Sequence, residues 1–234
     1  MHSSGKSNTN NNFATPENSA LILIDYQAQP LFGVQSQDRT LLINAAVGLA
    51  KAARAFGVPT ILTTLANQTL NGPIFPELQE VFPRQECIDR TCINAFEDKR
   101  FLGAVEEMRR KRLLIAGLWT EVSVNFSVLT ALEDGYNVQV VADASGGTSI
   151  EAHQLAIQQM SQAGAPSRTW QQLAFGWQRD WERTETADKL RQILRQHCGV
   201  VGQGLNYIQA ISNSNSNQNL QAPRRGVRPV GMER

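Results

Sequence analysis

Cysteine is scarce. The three in 234 residues, Cys87, Cys92 and Cys198, are too few and too scattered for a disulfide framework. Cys87 and Cys92 have CxxxxC spacing, with no second pair and no histidine cluster to complete a zinc site. A reduced, cytoplasmic protein is the expectation. Charge is scarce as well: charged residues make up 18% of the chain, and 22 Lys+Arg against 21 Asp+Glu leave a formal net charge of +1. Such balance gives no electrostatic footprint for nucleic acid or for an anionic membrane surface. No apolar run reaches the roughly 18 residues needed to span a bilayer. Residues 1–12 (MHSSGKSNTNNN) lack the apolar middle of a signal peptide. The expected partner is thus a small-molecule substrate, with no nucleic acid and no membrane.

Familiar cofactor and nucleophile signatures are missing too. A dinucleotide site needs GxGxxG after the first strand, where this chain has DYQAQP (25–30). A serine-hydrolase elbow needs GxSxG, and Ser123 stands in EVSVN. There is no P-loop, and Gly146-Gly147 alone reads as a turn.

What is present is a dense centre between two polar ends. Hydrophobic residues make up 41% of the chain, too many for wholesale disorder. Residues 1–16 are Ser/Asn-rich. From Ser212 onward a Ser/Asn tract leads into Arg224, Arg225, Arg228 and Arg234 against one acid, Glu233. Neither end can bury enough apolar area to offset its chain entropy, so flexible tails are expected at 1–16 and 212–234, around one domain at 17–211.

Within that domain strand and helix signals alternate. Ala20-Leu-Ile-Leu-Ile24 is a continuous apolar run of the kind a buried parallel strand shows. Leu41 to Phe56 has helical spacing and stops at Gly57, and Val58 to Thr63 is β-branched. A helix over 98–110, a strand over 111–117 and a helix over 120–132 follow. A strand over 138–142, a helix over 150–163 and a last strand over 167–170 complete the series. Alternation of this kind implies βαβ units with right-handed crossovers, and hence a three-layer α/β domain with a largely parallel sheet. Ligands in such sheets bind beyond the carboxyl ends of the strands. Those ends hold Asp25, Tyr26 and Gln27, then Thr63-Thr64, then Gly117 to Ser123, then Asp143 to Gly147.

At those ends the chain resembles the isochorismatase-like cysteine hydrolases, in their YcaC-like branch. The resemblance is carried by LILIDYQ (21–27), GVPTILTT (57–64), NGPIFPEL (71–78), IDRTCINAFED (88–98), LLIAGLWTEVSVNF (113–126) and VVADASGG (140–147). It implies a Rossmann-like three-layer sandwich, hydrolysis of a small amide or related C–N substrate, and a ring-like homo-oligomer. It also implies a triad of aspartate, a basic residue and cysteine. Asp25 matches the general base and Arg90 the basic residue, but the nucleophile position holds Ser123.

That departure matters chemically. A cysteine at a helix N-terminus beside a cation has a depressed pKa and attacks as thiolate. Serine is far less acidic and ordinarily needs a histidine base oriented by a third group. This chain has only His2, His153 and His197, none at a strand end beside the site. Three origins stay open: an introduced Cys→Ser change, a natural loss of catalysis, or an active serine variant. The alternative from another class is a non-catalytic oligomeric small-molecule-binding protein of the same fold.

The resemblance further implies a cis peptide between Leu118 and Trp119, with the amides of Trp119 and Ser123 as oxyanion donors. Gln27, Asn94 and Thr120 are expected to line the substrate pocket, although Asn94 has a rival role as a cap for the following turn. Related nicotinamidases carry an Asp/His zinc cluster after the second strand. Here that stretch is TTLANQTLNGP (63–73), with no acid and no histidine, so neither metal nor other cofactor is expected. Trp170, Phe175, Trp177 and Trp181 read as core or subunit interface.

Overall fold

The computed structural model describes residues 13–221. Six strands form one sheet in the order β3-β2-β1-β4-β5-β6, and every neighbouring pair is parallel. They are β1 (Ser19–Ile24), β2 (Thr60–Leu65), β3 (Ile88–Arg90), β4 (Arg112–Gly117), β5 (Asn137–Val141) and β6 (Ser167–Arg168). The helices are α1 (Ala28–Gly33), α2 (Arg39–Phe56), α3 (Pro76–Val81), α4 (Lys99–Glu107), α5 (Asn125–Glu133), α6 (Ile150–Gln162), α7 (Trp170–Gln178), α8 (Thr184–His197) and α9 (Val200–Gln221).

All six residues of β1 are buried, because helices cover both faces of the sheet at its centre. Its side chains still alternate between two cores. Leu21 and Leu23 pack with Leu42 and Leu49 of α2, Trp170 and Trp177 of α7 and Leu190 of α8. Ala20, Ile22 and Ile24 pack with Phe101 and Val105 of α4, Val128 of α5 and Met160 of α6. The three layers of the α/β expectation are therefore present, with a wholly parallel sheet in the middle.

Local signals set the helix ends. Asp38 caps α2 by accepting from the Leu41 amide at 3.0 Å, and Gly57 closes the helix at φ 68°, in the left-handed region that glycine adopts freely. At Gly117 the limit is space: a Cβ there would lie 2.4 Å from the Ile24 carbonyl oxygen. Only glycine lets the ends of β1 and β4 run this close.

Two expected boundaries need correction. Residues 13–16 are part of the domain: Ala14 is buried, Phe13 lies under the Arg179 guanidinium at 5.5 Å, and Arg112 donates to the Phe13 carbonyl. Helix α9 runs through the expected boundary at 211 as far as Gln221. Extending a helix already nucleated costs far less than starting one, so a poor helix-forming Ser/Asn tract can follow an ordered turn. Residues 1–12 and 222–234, the outer parts of both expected tails, lie outside the described residues. No strand is expected from the sequence at β3, and no helix at α1, α3, α7, α8 or α9.

The α2–α8 contact also carries a pH dependence. Lys51 Nζ lies 2.9 Å from His197 Nε2, and Asn44 Oδ1 lies 2.9 Å from Nδ1. An ammonium can only donate, so Nε2 accepts and Nδ1–H donates to Asn44. Burial, then the Lys51 charge, push the imidazole pKa down to about 4. With the folded value below the unfolded one, the stabilisation is complete above the ordinary histidine pKa and is lost as pH falls towards about 4. The expected result is a Tm that declines over that interval and declines less steeply in His197→Gln, read by thermal melts at stepped pH. Equal slopes in both proteins would refute it.

Candidate active site

The strand order reverses between β1 and β4, and it is beyond the carboxyl ends of these two strands that a parallel sheet opens a crevice. Register puts Ile24 beside Thr63 on one side and Gly117 on the other, so three strand ends are level. Asp25 leaves β1 in the left-handed region at φ 56°, which aspartate tolerates better than most residues. The chain turns at once, with the Gln27 amide donating to the Asp25 carbonyl at 2.7 Å. Non-glycine residues in this region persist where the surroundings hold them, often at functional sites.

Asp25 and Arg90 form a buried ion pair, exposed by only 2% and 1%. Arg90 Nη2 donates to both carboxylate oxygens of Asp25, at 2.7 and 2.8 Å. Nη1 donates to the carbonyls of Cys92 and Ile93, the latter at 3.0 Å. Burial raises the Asp25 pKa above the usual carboxylate value, while the Arg90 charge and a hydrogen bond from the Ser123 hydroxyl oppose that rise. Of the three expected residues, Arg90 is thus bonded to Asp25, and Asp25 and Ser123 line the same cavity.

Ser123 sits in a wide helical turn at Thr120–Val124 that leads into α5. A helix N-terminus directs unpaired amides and a partial positive charge towards this point. The turn is fastened from outside. The Thr120 amide donates to the Gly146 carbonyl at 3.0 Å, and Glu121 accepts from the Thr148 amide at 3.0 Å and from its hydroxyl. Trp119 Nε1 donates to the Pro30 carbonyl at 3.0 Å. All peptide bonds among the described residues are trans, so the cis bond implied between Leu118 and Trp119 is absent. With the trans bond the flanking amides are already satisfied, Leu118 on the Ile24 carbonyl at 3.1 Å and Thr120 on Gly146.

A cavity of about 410 Å³ opens at this place. Asp25, Trp119 and Ser123 line it, with Pro30, Leu65, Leu70, Ile93, Leu118 and Val122 as apolar wall and Gln29, Asn71 and Thr91 as polar neighbours. A groove of about 930 Å³ between α2, α3 and α8 is larger but contains none of the strand-end residues, and volume alone does not make it the reactive site.

The three expected pocket residues are placed elsewhere. Gln27 is fully buried and ties two loops together, donating to the Leu65 and Gly72 carbonyls and accepting from the Leu65 amide at 2.8 Å. Asn94 caps the next turn, accepting from the Phe96 amide at 3.1 Å and donating to the Thr130 hydroxyl at 2.9 Å. The Thr120 hydroxyl pairs with His153 Nδ1 at 2.9 Å. None of the three lines the cavity, because each has its polar atoms taken up by the surrounding backbone or side chains. His153 therefore approaches the Thr120–Val124 turn from α6 without reaching the cavity, and burial holds its pKa below the ordinary value.

Other candidates are structural. Asp89 accepts from the Thr64 hydroxyl at 2.9 Å and the Asn67 amide at 3.0 Å, away from Arg90. Burial raises the Cys87 and Cys198 thiols to about 11. No group of three or more His, Cys, Asp or Glu among the described residues could hold a metal ion. No described helix is long and apolar enough to cross a membrane.

Comparison with known proteins places the chain in a family. The isochorismatase domain family matches residues 19–172. The chain is 40% identical over 163 residues to the probable hydrolase YcaC of Escherichia coli, covering 69% of this chain and 78% of that protein. It is similar to the crystal structure of the E. coli YcaC gene product, described as an octameric hydrolase of unknown specificity. The TM-score is 0.81 at 35% identity, over 85% of this chain and 97% of that one. It is also similar to YcaC from Pseudomonas aeruginosa with hexane-2,5-diol and covalent acrylamide, with a TM-score of 0.80 at 35% identity over 86% and 98% of the two chains.

Proposed function

The chain belongs to the isochorismatase family of hydrolases, and from that premise we propose that its cavity is built to hydrolyse a small amide or related C–N substrate through Asp25, Arg90 and position 123. The observation that carries this is the meeting of the three residues at one cavity: Arg90 Nη2 donates to both Asp25 oxygens, and Asp25 and Ser123 both stand in the cavity wall. Position 123 attacks the carbonyl carbon as its proton passes to Asp25. The amides of Trp119 and Ser123 receive the oxyanion. Asp25 returns the proton to the departing amine, and the acyl group stays on position 123. Water then attacks the acyl carbon with Asp25 as base, releasing the acid. Arg90 holds the carboxylate in place throughout and stabilises its ionised form.

With serine at position 123 and an aspartate as its base, the protein turns over little. The same fact favours a second role, binding a small molecule without reaction. The octameric state described for the E. coli relative supports a homo-oligomer here.

The test compares this protein with its Ser123→Cys variant. Both are incubated with small amides, activated esters and acrylamide, a reagent held covalently in the P. aeruginosa relative. Intact mass and product release are followed. Adducts and turnover in the cysteine variant alone identify position 123 as a disabled nucleophile. An adduct on Ser123 itself makes the chain a working serine variant. Silence from both transfers the weight to the binding role.

A further inference from the structure

The hydrogen bonds around Arg90 determine what charge the cavity accepts. A guanidinium inside a small-molecule site usually offers itself to a substrate carboxylate, since its donors match that shape. Here both Nη groups are committed. Nη2 donates to both oxygens of Asp25, and Nη1 donates to the carbonyls of Cys92 and Ile93. Nε is buried without a hydrogen-bond partner, but the residue as a whole is 1% exposed and does not line the cavity, so this donor does not face a ligand there.

None of the lining residues is Lys, Arg or His, and Asp25 is the one among them that carries a charge. An anionic substrate would therefore come to rest beside a carboxylate, with no cation free to receive it. At the separations inside so small a cavity, and with little screening, that repulsion amounts to about tenfold or more in rate. A cationic substrate would surrender its hydration for a carboxylate whose charge Arg90 offsets in part. What remains is uncharged chemistry. Asn71 has its Nδ2 held by the Leu65 carbonyl at 2.9 Å, which leaves Oδ1 as an acceptor for an N–H group. Most of the remaining wall is aliphatic.

Resting on the hydrolase reading of this cavity, we infer that it selects an uncharged carboxamide with a small apolar acyl group, and that Arg90 serves the Asp25 carboxylate rather than the substrate. Anionic substrates are then excluded by charge before any question of shape.

Alkylation separates this inference from the hydrolase reading. The Ser123→Cys variant is treated with iodoacetamide and with iodoacetate, which differ chiefly in charge. In each case the thiolate sulfur forms a bond to the methylene carbon and iodide leaves, with no further reactant. Peptide mapping distinguishes position 123 from Cys87, Cys92 and Cys198. The reference is the same thiol in the same variant unfolded in urea, which adds no ions. The expected preference for iodoacetamide over iodoacetate at position 123 in the folded protein is about tenfold greater than in the unfolded chain. A similar preference in both states, or a folded preference for iodoacetate, overturns the inference. Protection from both reagents overturns it together with the hydrolase reading, since the cavity would be closed. Adding Gln29→Lys supplies a lining cation and should raise the iodoacetate rate several-fold relative to the iodoacetamide rate; an unchanged ratio counts against the electrostatic cause. Charge preference without hydrolysis of any amide preserves the inference and ends the hydrolase reading. Hydrolysis of amides with an acidic acyl chain as fast as their neutral counterparts does the reverse.

Discussion

Arg90→Met should lower the stability of the folded protein by about 3–5 kcal/mol at neutral pH, measured by urea denaturation. The residue is 1% exposed and its two Nη groups bond the Asp25 carboxylate and two carbonyls, so its removal leaves a buried charge and two buried acceptors without partners. Methionine fills much of the volume, which confines the loss mainly to charge and hydrogen bonding. The deficit should also depend on pH. Burial already raises the Asp25 pKa, and loss of the opposing Arg90 charge raises it further. A carboxyl group whose folded pKa exceeds its unfolded value favours the folded state while protonated and loses that contribution as pH rises. The variant should therefore lie closest to the parent in acid and diverge towards neutrality. A deficit below 1 kcal/mol, or one independent of pH, would mean that the pair contributes little.

How much of this was legible in the sequence follows from the range of the interactions. The apolar run of β1 and the rule of strand ends suffice to find Asp25 and Ser123, because burial on both faces and parallel topology are properties of long segments. Strand β3 is different. Its three residues, Ile88, Asp89 and Arg90, have no apolar run, and they are extended because Thr63 to Leu65 of β2 pair with them. Helix α8 did leave a signal: Ala187, Leu190, Ile193 and Leu194 recur at helical spacing and are all buried.

The pocket residues failed for local and for distant reasons. Gln27 stands two residues after Asp25, where alternation along a strand would place both side chains on one face. The left-handed turn at Asp25 ends that alternation and sends Gln27 to the Leu65 loop instead. Thr120 is captured by His153, 33 residues further along the chain, a contact that no spacing rule anticipates. Asn94 took the capping role that its short amide side chain favours. Thr91, Ile93 and Leu70 line the cavity without a motif, since a wall needs only shape and apolarity.

In the Ser123→Cys background, Asp25→Asn should reduce amide hydrolysis by about 10²- to 10⁴-fold, the usual contribution of a positioned acid–base group. Asparagine keeps the size of the side chain and an acceptor for Arg90, but it can neither take the nucleophile's proton nor return one to the leaving amine. Alkylation by iodoacetamide should not fall in parallel. Withdrawing a negative charge from beside the thiol makes its ionisation easier, and iodide leaves without help from an acid. Hydrolysis and alkylation therefore move apart, a divergence that simple damage to the cavity would not produce. The pH profile adds a second criterion. The base must be ionised, and because burial raises the Asp25 pKa, the acid limb of hydrolysis should lie above the range of an exposed aspartate. That limb should vanish in Asp25→Asn. If hydrolysis stays within tenfold of the background variant, or the acid limb persists without the carboxylate, the proton is carried by another group and the role given to Asp25 is wrong.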